Sequence, residues 1–243
     1  MRVDVITDCQ EITVKAVSFP HQRGTVFYAC SPGDTETIAG RASRTADKIH
    51  LISVLLEHLM AMEGFPWTDC RFSNSAVFPI QVVSGPLGKP HLLLGKYRGP
   101  AISFSEGGGK VWAALCGEES DIGIDVSETD EFQRQYPVDR VFHAQELQHA
   151  SMLAGGDVAK ASALLWSIKE AVVKALGCGF HLVDPKEIYV HPSGDGDGGH
   201  TFSVCLSKKT LVRFPKSAHG SLTIRSFPQD KTWLSIALLN QQP

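Results

Sequence analysis

A chain of 243 residues, 43% apolar and 20% charged, is ordinary for a globular protein and can bury a sizeable core, as one large domain or two small ones. Its net charge of −3 is too small to serve nucleic acid or an anionic membrane surface, so any phosphate site has to be built from a few placed cations. The six cysteines are scattered without a CxxC pair, which argues against a zinc site or a disulfide framework, and no apolar run approaches the ~20 residues of a membrane span.

MRVDVITDCQ, with two acids and no apolar run, does not read as a secretion signal, so a cytoplasmic protein is expected. VDVIT, ITVKAVSF and TVFYAC are rich in β-branched and aromatic residues and read as strands. SPGDTET is a turn with capping residues, and a long helix follows over roughly 42–63. Ile49, Ile52, Leu55, Leu56 and Leu59 recur there at helical spacing, and Gly64 and Pro66 end it. VFPIQVV is a strand, GPLGKPHLL a turn entering another, and AISF and VWAALC pair across SEGGGK as a hairpin. DIGIDVSE is a short buried strand.

From Glu128 the pattern turns helical, over Val138–Leu153 and then Val158–Leu176. IYV, TFSVCL, LTIRSF and TWLSIALL return to strands. SGDGDGG lacks the spaced acids and closing Glu of a calcium loop and reads as a flexible turn. Strands with a long helix thus occur twice, a hint of two similar α+β halves. His143 and His149 are six apart, which does not bring two ligands to one helix face, and they read as surface residues. No GxSxG, HExxH or P-loop is present.

The chemistry concentrates in WSIKEAVVKALGCGF. On a helix, Trp166, Glu170 and Lys174 are each four apart and share a face, while Leu165, Ile168, Val172 and Ala175 face the core. The plain reading is a solvated Glu–Lys pair worth about 0.3–0.5 kcal/mol. Trp is an odd neighbour on such a stripe. Asp125 also interrupts an apolar strand, where a lone carboxylate costs several kcal/mol unless it is paired or holds a metal. A strand-end Asp capping a turn is the competing reading. Asp125 with Glu170 would suit Mg²⁺, a hard ion that prefers oxygen ligands and shares them with phosphates, and Lys169 and Lys174 would neutralise phosphate oxygens.

GIDVSE followed by WSIKEAVVKALGCGF resembles the paired signature of the 4′-phosphopantetheinyl transferases, approximately (V/I)G(I/V)D and W(S/T)xKEAxxKxxGxG. Gly123, Ile124 and Asp125 match the first part. Trp166, Ser167, Lys169, Glu170, Ala171, Lys174, Gly177 and Gly179 match the second. GKP at 88–90 matches an upstream motif, and the chain length resembles the larger, pseudo-dimeric, surfactin-synthetase-activating type.

The resemblance implies two α+β halves, 1–118 and 119–243, each a small antiparallel sheet with a long helix, and the second carrying the catalytic motifs. It implies transfer of the phosphopantetheine arm of coenzyme A to a serine of an apo carrier protein (acyl, polyketide or peptidyl), giving 3′,5′-ADP. Glu170 and Lys174 would be catalytic. Asp125 and Glu170 would bind Mg²⁺, with Ser127 where surfactin-type members commonly have a second acid. Lys89, Pro90, Ser103, Ser105, Glu106, Lys169, Lys174 and Arg44 would contact coenzyme A. Glu106 stands where the family's FNxSH motif has histidine, and a carboxylate there would repel the 3′-phosphate unless it points away or the Gly107–Gly109 backbone makes the contact. A monomer is expected, with no nucleic-acid or membrane partner. The Glu106 and Ser127 departures motivate a second reading, a diverged relative that binds coenzyme A or a carrier protein without transfer.

Overall fold

The architecture comes from a computed structural model, in which residues 12–19, 25–31, 40–63, 79–117, 120–133, 136–196, 198–218 and 220–240 are described. The VDVIT strand, most of the SPGDTET turn, Gly64 and Pro66 lie outside them, as does the boundary placed between 118 and 119.

In the first half, β1 (Lys15–Val17), β2 (Val26–Cys30), β6 (Ala101–Gly107) and β7 (Lys110–Cys116) form an antiparallel sheet in the order β1-β2-β7-β6. Alternation decides what each face meets. Phe27, Ala29, Ala113 and Leu115 pack on α1 (Gly40–Glu63) through its stripe of Leu51, Ile52, Leu55, Leu56 and Leu59. Ile49, expected in that stripe, is instead exposed. A small sheet of β3 (Ile80–Ser84), β4 (Pro90–Leu94) and β5 (Tyr97–Arg98) adds Leu92 to the same core.

In the second half, β8 (Ser120–Glu128), β9 (Ile188–Gly196), β10 (Gly199–Leu206), β11 (Ser221–Gln229) and β12 (Thr232–Asn240) form an antiparallel sheet in the order β8-β12-β11-β10-β9. The SGDGDGG stretch is mostly strand, since β9 runs to Gly196 and β10 begins at Gly199. One helical segment expected over 138–153 is two, α2 (Val138–Val141) and α3 (Ala144–Leu153), and a short α5 (Lys208–Arg213) was not anticipated.

Helix α4 (Val158–Leu176) has the bounds that periodicity predicts. Asp157 caps its start by accepting from the Ala159 and Lys160 amides, and Gly177, at φ +77°, ends it in the left-handed conformation. Leu164, Leu165, Ile168, Val172 and Val173 are buried almost all round, so α4 is a core helix rather than an amphipathic surface one.

The two sheets meet face to face. Tyr28, Trp112 and Ala114 from the first pack against Ile122, Ile124, Leu234, Ile236 and Leu238 from the second. The order through the molecule is α1, first sheet, second sheet, α4. The fold is α+β, with antiparallel sheets and a long helix on each. At one edge the sheets are also joined by serines: Ser103 Oγ accepts from the Ile124 amide at 3.0 Å, and Ser105 Oγ accepts from the Val126 amide at 3.2 Å. These hydroxyls supply β8 with acceptors that β6 does not provide from its backbone.

Gly123 sets the distance between α4 and β8. A Cβ there would stand 1.9 Å from the Ala171 carbonyl oxygen and 2.7 Å from the Ala175 nitrogen, both backbone atoms of α4. Gly123→Ala should therefore force the helix outward and destabilise by about 1–3 kcal/mol or more in chemical denaturation. Gly117→Ala, with nothing within 4 Å of the added methyl, should be close to neutral.

Candidate active site at the α4–β8 contact

The face of β8 that carries Gly123 also carries Asp125 and Ser127, opposite the Ile122, Ile124 and Val126 face. Where α4 crosses it, Lys174 Nζ reaches Asp125 Oδ1 at 2.7 Å, the Ile124 carbonyl at 3.0 Å and Ser105 Oγ at 3.3 Å. Asp125 also accepts from Ser105 Oγ at 3.0 Å and from Ser127 Oγ at 2.8 Å. Ser105 thereby spends its one donor on Asp125 and accepts from Lys174 and from Val126. Asp125 is buried, while the Lys174 side chain keeps 28% of its exposure and so can meet a ligand.

Glu170, one turn before Lys174, makes no hydrogen bond or ion pair with any described residue. Burial first, and then the negative charge of Asp125, hold its carboxyl above the ordinary glutamate range, against the pull of Lys174. Glu131 lies close enough to add to that effect and is itself raised, by burial and by Glu128 and Asp125. Tyr136 stands beside both glutamates and packs edge-on against Phe132 at 4.7 Å, with Trp166 completing an aromatic wall with Phe180 at 4.8 Å. A half-buried carboxylate with no donor, beside a second carboxylate and a serine hydroxyl, is a set of hard oxygens that a divalent cation would satisfy. Among the described residues no three His, Cys, Asp or Glu come together as a metal-ligating set, so further ligands would be waters or phosphate.

Residues 121–224, which contain both carboxylates and Lys174, match the model of the 4′-phosphopantetheinyl transferase superfamily. The match spans less than half of the chain. A search of curated proteins gives no match. Solved structures with partial likeness include the ACPS–CoA complex of Chronobacterium ammoniagenes, at 20% identity over 51% of this chain and 98% of that one, with a TM-score of 0.41. Another is the holo-[acyl-carrier-protein] synthase of Thermotoga maritima, at 20% identity over 50% of this chain and 64% of that one, with a TM-score of 0.37.

Of the residues that the phosphopantetheinyl transferase motifs single out, the fold brings Ser105, Asp125, Ser127, Glu170 and Lys174 together. Lys169 is elsewhere, and the expectation that it contacts phosphate is corrected. Its side chain is 0% exposed and bonds Glu146 Oε1 at 2.5 Å and the carbonyls of Pro185 at 2.9 Å and Ile188 at 3.0 Å. Burial pulls its pKa down and Glu146 pulls it back up. Glu146 also accepts from the His143 and Val190 amides, so this pair ties α3, α4 and β9 together. Sequence reasoning missed Glu146 because nothing in the α3 pattern marks one acid as buried.

Ser103 is a seam residue whose Oγ is held by β8. Glu106 faces α1, where Arg44 Nη1 at 2.9 Å and Lys48 Nζ at 3.1 Å hold its carboxylate. The Gly108 amide, an alternative phosphate donor, is committed to Glu128 Oε1 at 2.8 Å. Lys89 donates to Asp121 and to the Ala175 carbonyl at 3.1 Å, and its stem crosses Gly177, so it caps the C-terminal end of α4. Lys89 and Pro90 also line a cavity of about 740 Å³ beside that helix end.

Two outcomes test this geometry. Lys169→Met leaves Glu146 buried without its cation and should cost about 3–5 kcal/mol, with Lys169→Met/Glu146→Leu costing less than the sum of the single changes. Glu170 binds its proton more tightly folded than unfolded, so its contribution to stability falls as pH rises above the ordinary glutamate range. Glu170→Gln should accordingly raise Tm at neutral pH, with the gain shrinking as pH falls.

Proposed function

We propose that the protein is a Mg²⁺-dependent 4′-phosphopantetheinyl transferase that modifies an apo carrier protein with the arm of coenzyme A. The observation that carries this reading is the meeting of Asp125, Glu170 and Lys174 at the α4–β8 contact, inside the segment that matches the superfamily. Asp125 and Glu170 would hold the cation, with Ser127 within reach through its bond to Asp125. Bound there, Mg²⁺ would neutralise the diphosphate of coenzyme A and withdraw charge from the phosphorus under attack.

Glu170 stands beside Asp125 and one helical turn from Lys174, a position from which it would serve as general base. It would take the proton of the carrier serine, directly or through a water. The serine oxygen then bonds to the β-phosphorus, and the bond from that phosphorus to the bridging oxygen breaks. 3′,5′-ADP leaves with that oxygen. Lys174 would exchange its longest contact, the 3.3 Å bond to Ser105, for a phosphate oxygen and stabilise charge as it shifts. The aromatic wall of Tyr136, Phe132 and Trp166 limits water on the Glu170 side. The nucleotide end would extend along β8 toward Lys89 and Pro90, and the 128–160 segment beside the site would form the carrier's rim. The protein would act as a single cytoplasmic chain.

Incubation with coenzyme A, Mg²⁺ and a panel of apo carriers should add one phosphopantetheine mass to at least one of them by mass spectrometry. Glu170→Gln should slow that transfer by on the order of 10²–10⁴-fold, the usual worth of a positioned base. Mg²⁺ should raise the Tm of the wild type but not of Glu170→Gln. Tight coenzyme A binding with no mass gain across the panel would instead identify a non-transferring relative.

A further inference from the structure

The Lys169 ammonium sits where three stretches of chain meet, out of reach of solvent. Besides Glu146 Oε1 at 2.5 Å, it reaches the carbonyls of Val141 at 3.3 Å, Pro185 at 2.9 Å and Ile188 at 3.0 Å. Val141 ends α2, Glu146 stands in the first turn of α3, and 185–188 leads into β9. The elbow between α2 and α3 is thereby tied to β9 from inside. Two outer bonds repeat the tie: Tyr189 Oη donates to Gln145 Oε1 at 2.7 Å, and His143 Nε2 donates to the Lys186 carbonyl at 2.9 Å. Apolar packing already holds α3 on α4, through Ala150, Leu147 and Leu153. Such contact is non-directional, whereas an ammonium fixes the register of the acceptors it meets. A buried ion pair is weak evidence for stability, and its use here is register.

The elbow reaches the candidate site through aromatic rings. Lys169 Nζ lies 5.5 Å from the centre of the Phe142 ring, and Tyr136 stacks on Phe142 at 6.5 Å. Tyr136 also meets Trp166 edge-on at 6.4 Å, one turn before Glu170. The pair itself is on the α3 side of α4, away from the Lys174–Asp125 contact with β8. We propose that Lys169 and Glu146 are positioning residues for carrier docking: they hold the α2–α3 elbow and Tyr136 ready-made, so that the partner meets a rim that needs no ordering. The inference rests on the carrier reading above and adds the pair that would set the shape of the rim.

Lys169→Met/Glu146→Leu replaces the pair by apolar groups of similar volume, which removes the register without leaving a buried charge. Backbone hydrogen exchange followed by mass spectrometry should speed up over 138–153 in this variant and keep the wild-type rate in β8 and β12. Calorimetric titration should show the affinity for an apo carrier that wild type binds lowered at least about tenfold, the cost of ordering a few side chains on binding. Coenzyme A affinity should not change. In the transfer assay the KM for the carrier should rise by the same factor while kcat at saturating carrier is kept. Loss of folded protein alone would lower kcat and leave KM unmoved, so the split separates positioning from plain stability. Glu146→Gln keeps the size and one acceptor for Lys169 and should show the same pattern to a smaller degree, which decides the question if the double variant does not fold.

The inference is overturned by unchanged exchange over 138–153, by carrier affinity equal to that of wild type, by a parallel loss of coenzyme A affinity, or by a carrier panel that wild type does not bind. Carrier binding that weakens as expected, with no mass gain on any carrier in wild type, would reject the transfer reading and keep this one. Mass gain in wild type with carrier affinity and KM unmoved in the variants would do the reverse.

Discussion

Helix α4 lies against β8 with no room for a side chain between their backbones at Gly123. That one close approach sets the position of the candidate site residues. Asp125 is two residues along the strand and emerges on the same face, while Glu170 and Lys174 flank Ala171 on the helix, so backbone contact brings the carboxylates and the ammonium together. A wider spacing would draw Lys174 away from its 2.7 Å contact and let water into the gap. The cost is visible in Glu170, which is held near another carboxylate with no donor of its own. A half-buried carboxylate beside a second one is a stability penalty that a bound cation would relieve.

The two halves cooperate in building this arrangement. Ser105 comes from the first sheet yet bonds Asp125, Lys174 and the β8 backbone. Lys89, also from the first half, completes the end of the second half's helix. The mixed origin explains how short motifs far apart in sequence belong to one site. GKP, SFS, GID and WSIKE are four segments of chain converging on the two ends of the α4–β8 contact.

Much of this was legible in the sequence, for identifiable reasons. The bounds of α4 followed from period and caps, because Asp157, Gly177 and the apolar spacing all agree. Asp125 was legible because a carboxylate in an apolar strand demands an explanation. Lys169 was misread because sequence cannot tell which side of an all-round buried helix a lysine leaves from, and its partner Glu146 sits on another helix. The serines of the ISFSE segment were read as ligand contacts, but as small hydroxyls on an edge strand they bind a neighbouring backbone equally well. Glu106 raised a difficulty in sequence, and in the structure Arg44 and Lys48 of α1 hold its carboxylate. The cavity beside the end of α4 was invisible because its walls come from separate strands.

The order of the second sheet bears on modularity. The stretch recognisable by likeness runs from 121 to 224, whereas β12, at Thr232–Asn240, pairs with both β8 and β11 in the interior of the sheet. Cutting the chain to its recognisable portion would remove the strand between β8 and the rest of the sheet, and with it Leu234, Ile236 and Leu238 from the face that meets the first half. The heritable signature and the folding unit are therefore different intervals of the same polypeptide. Recombination or truncation guided by the signature alone would carry the candidate site residues away from the scaffold that holds them.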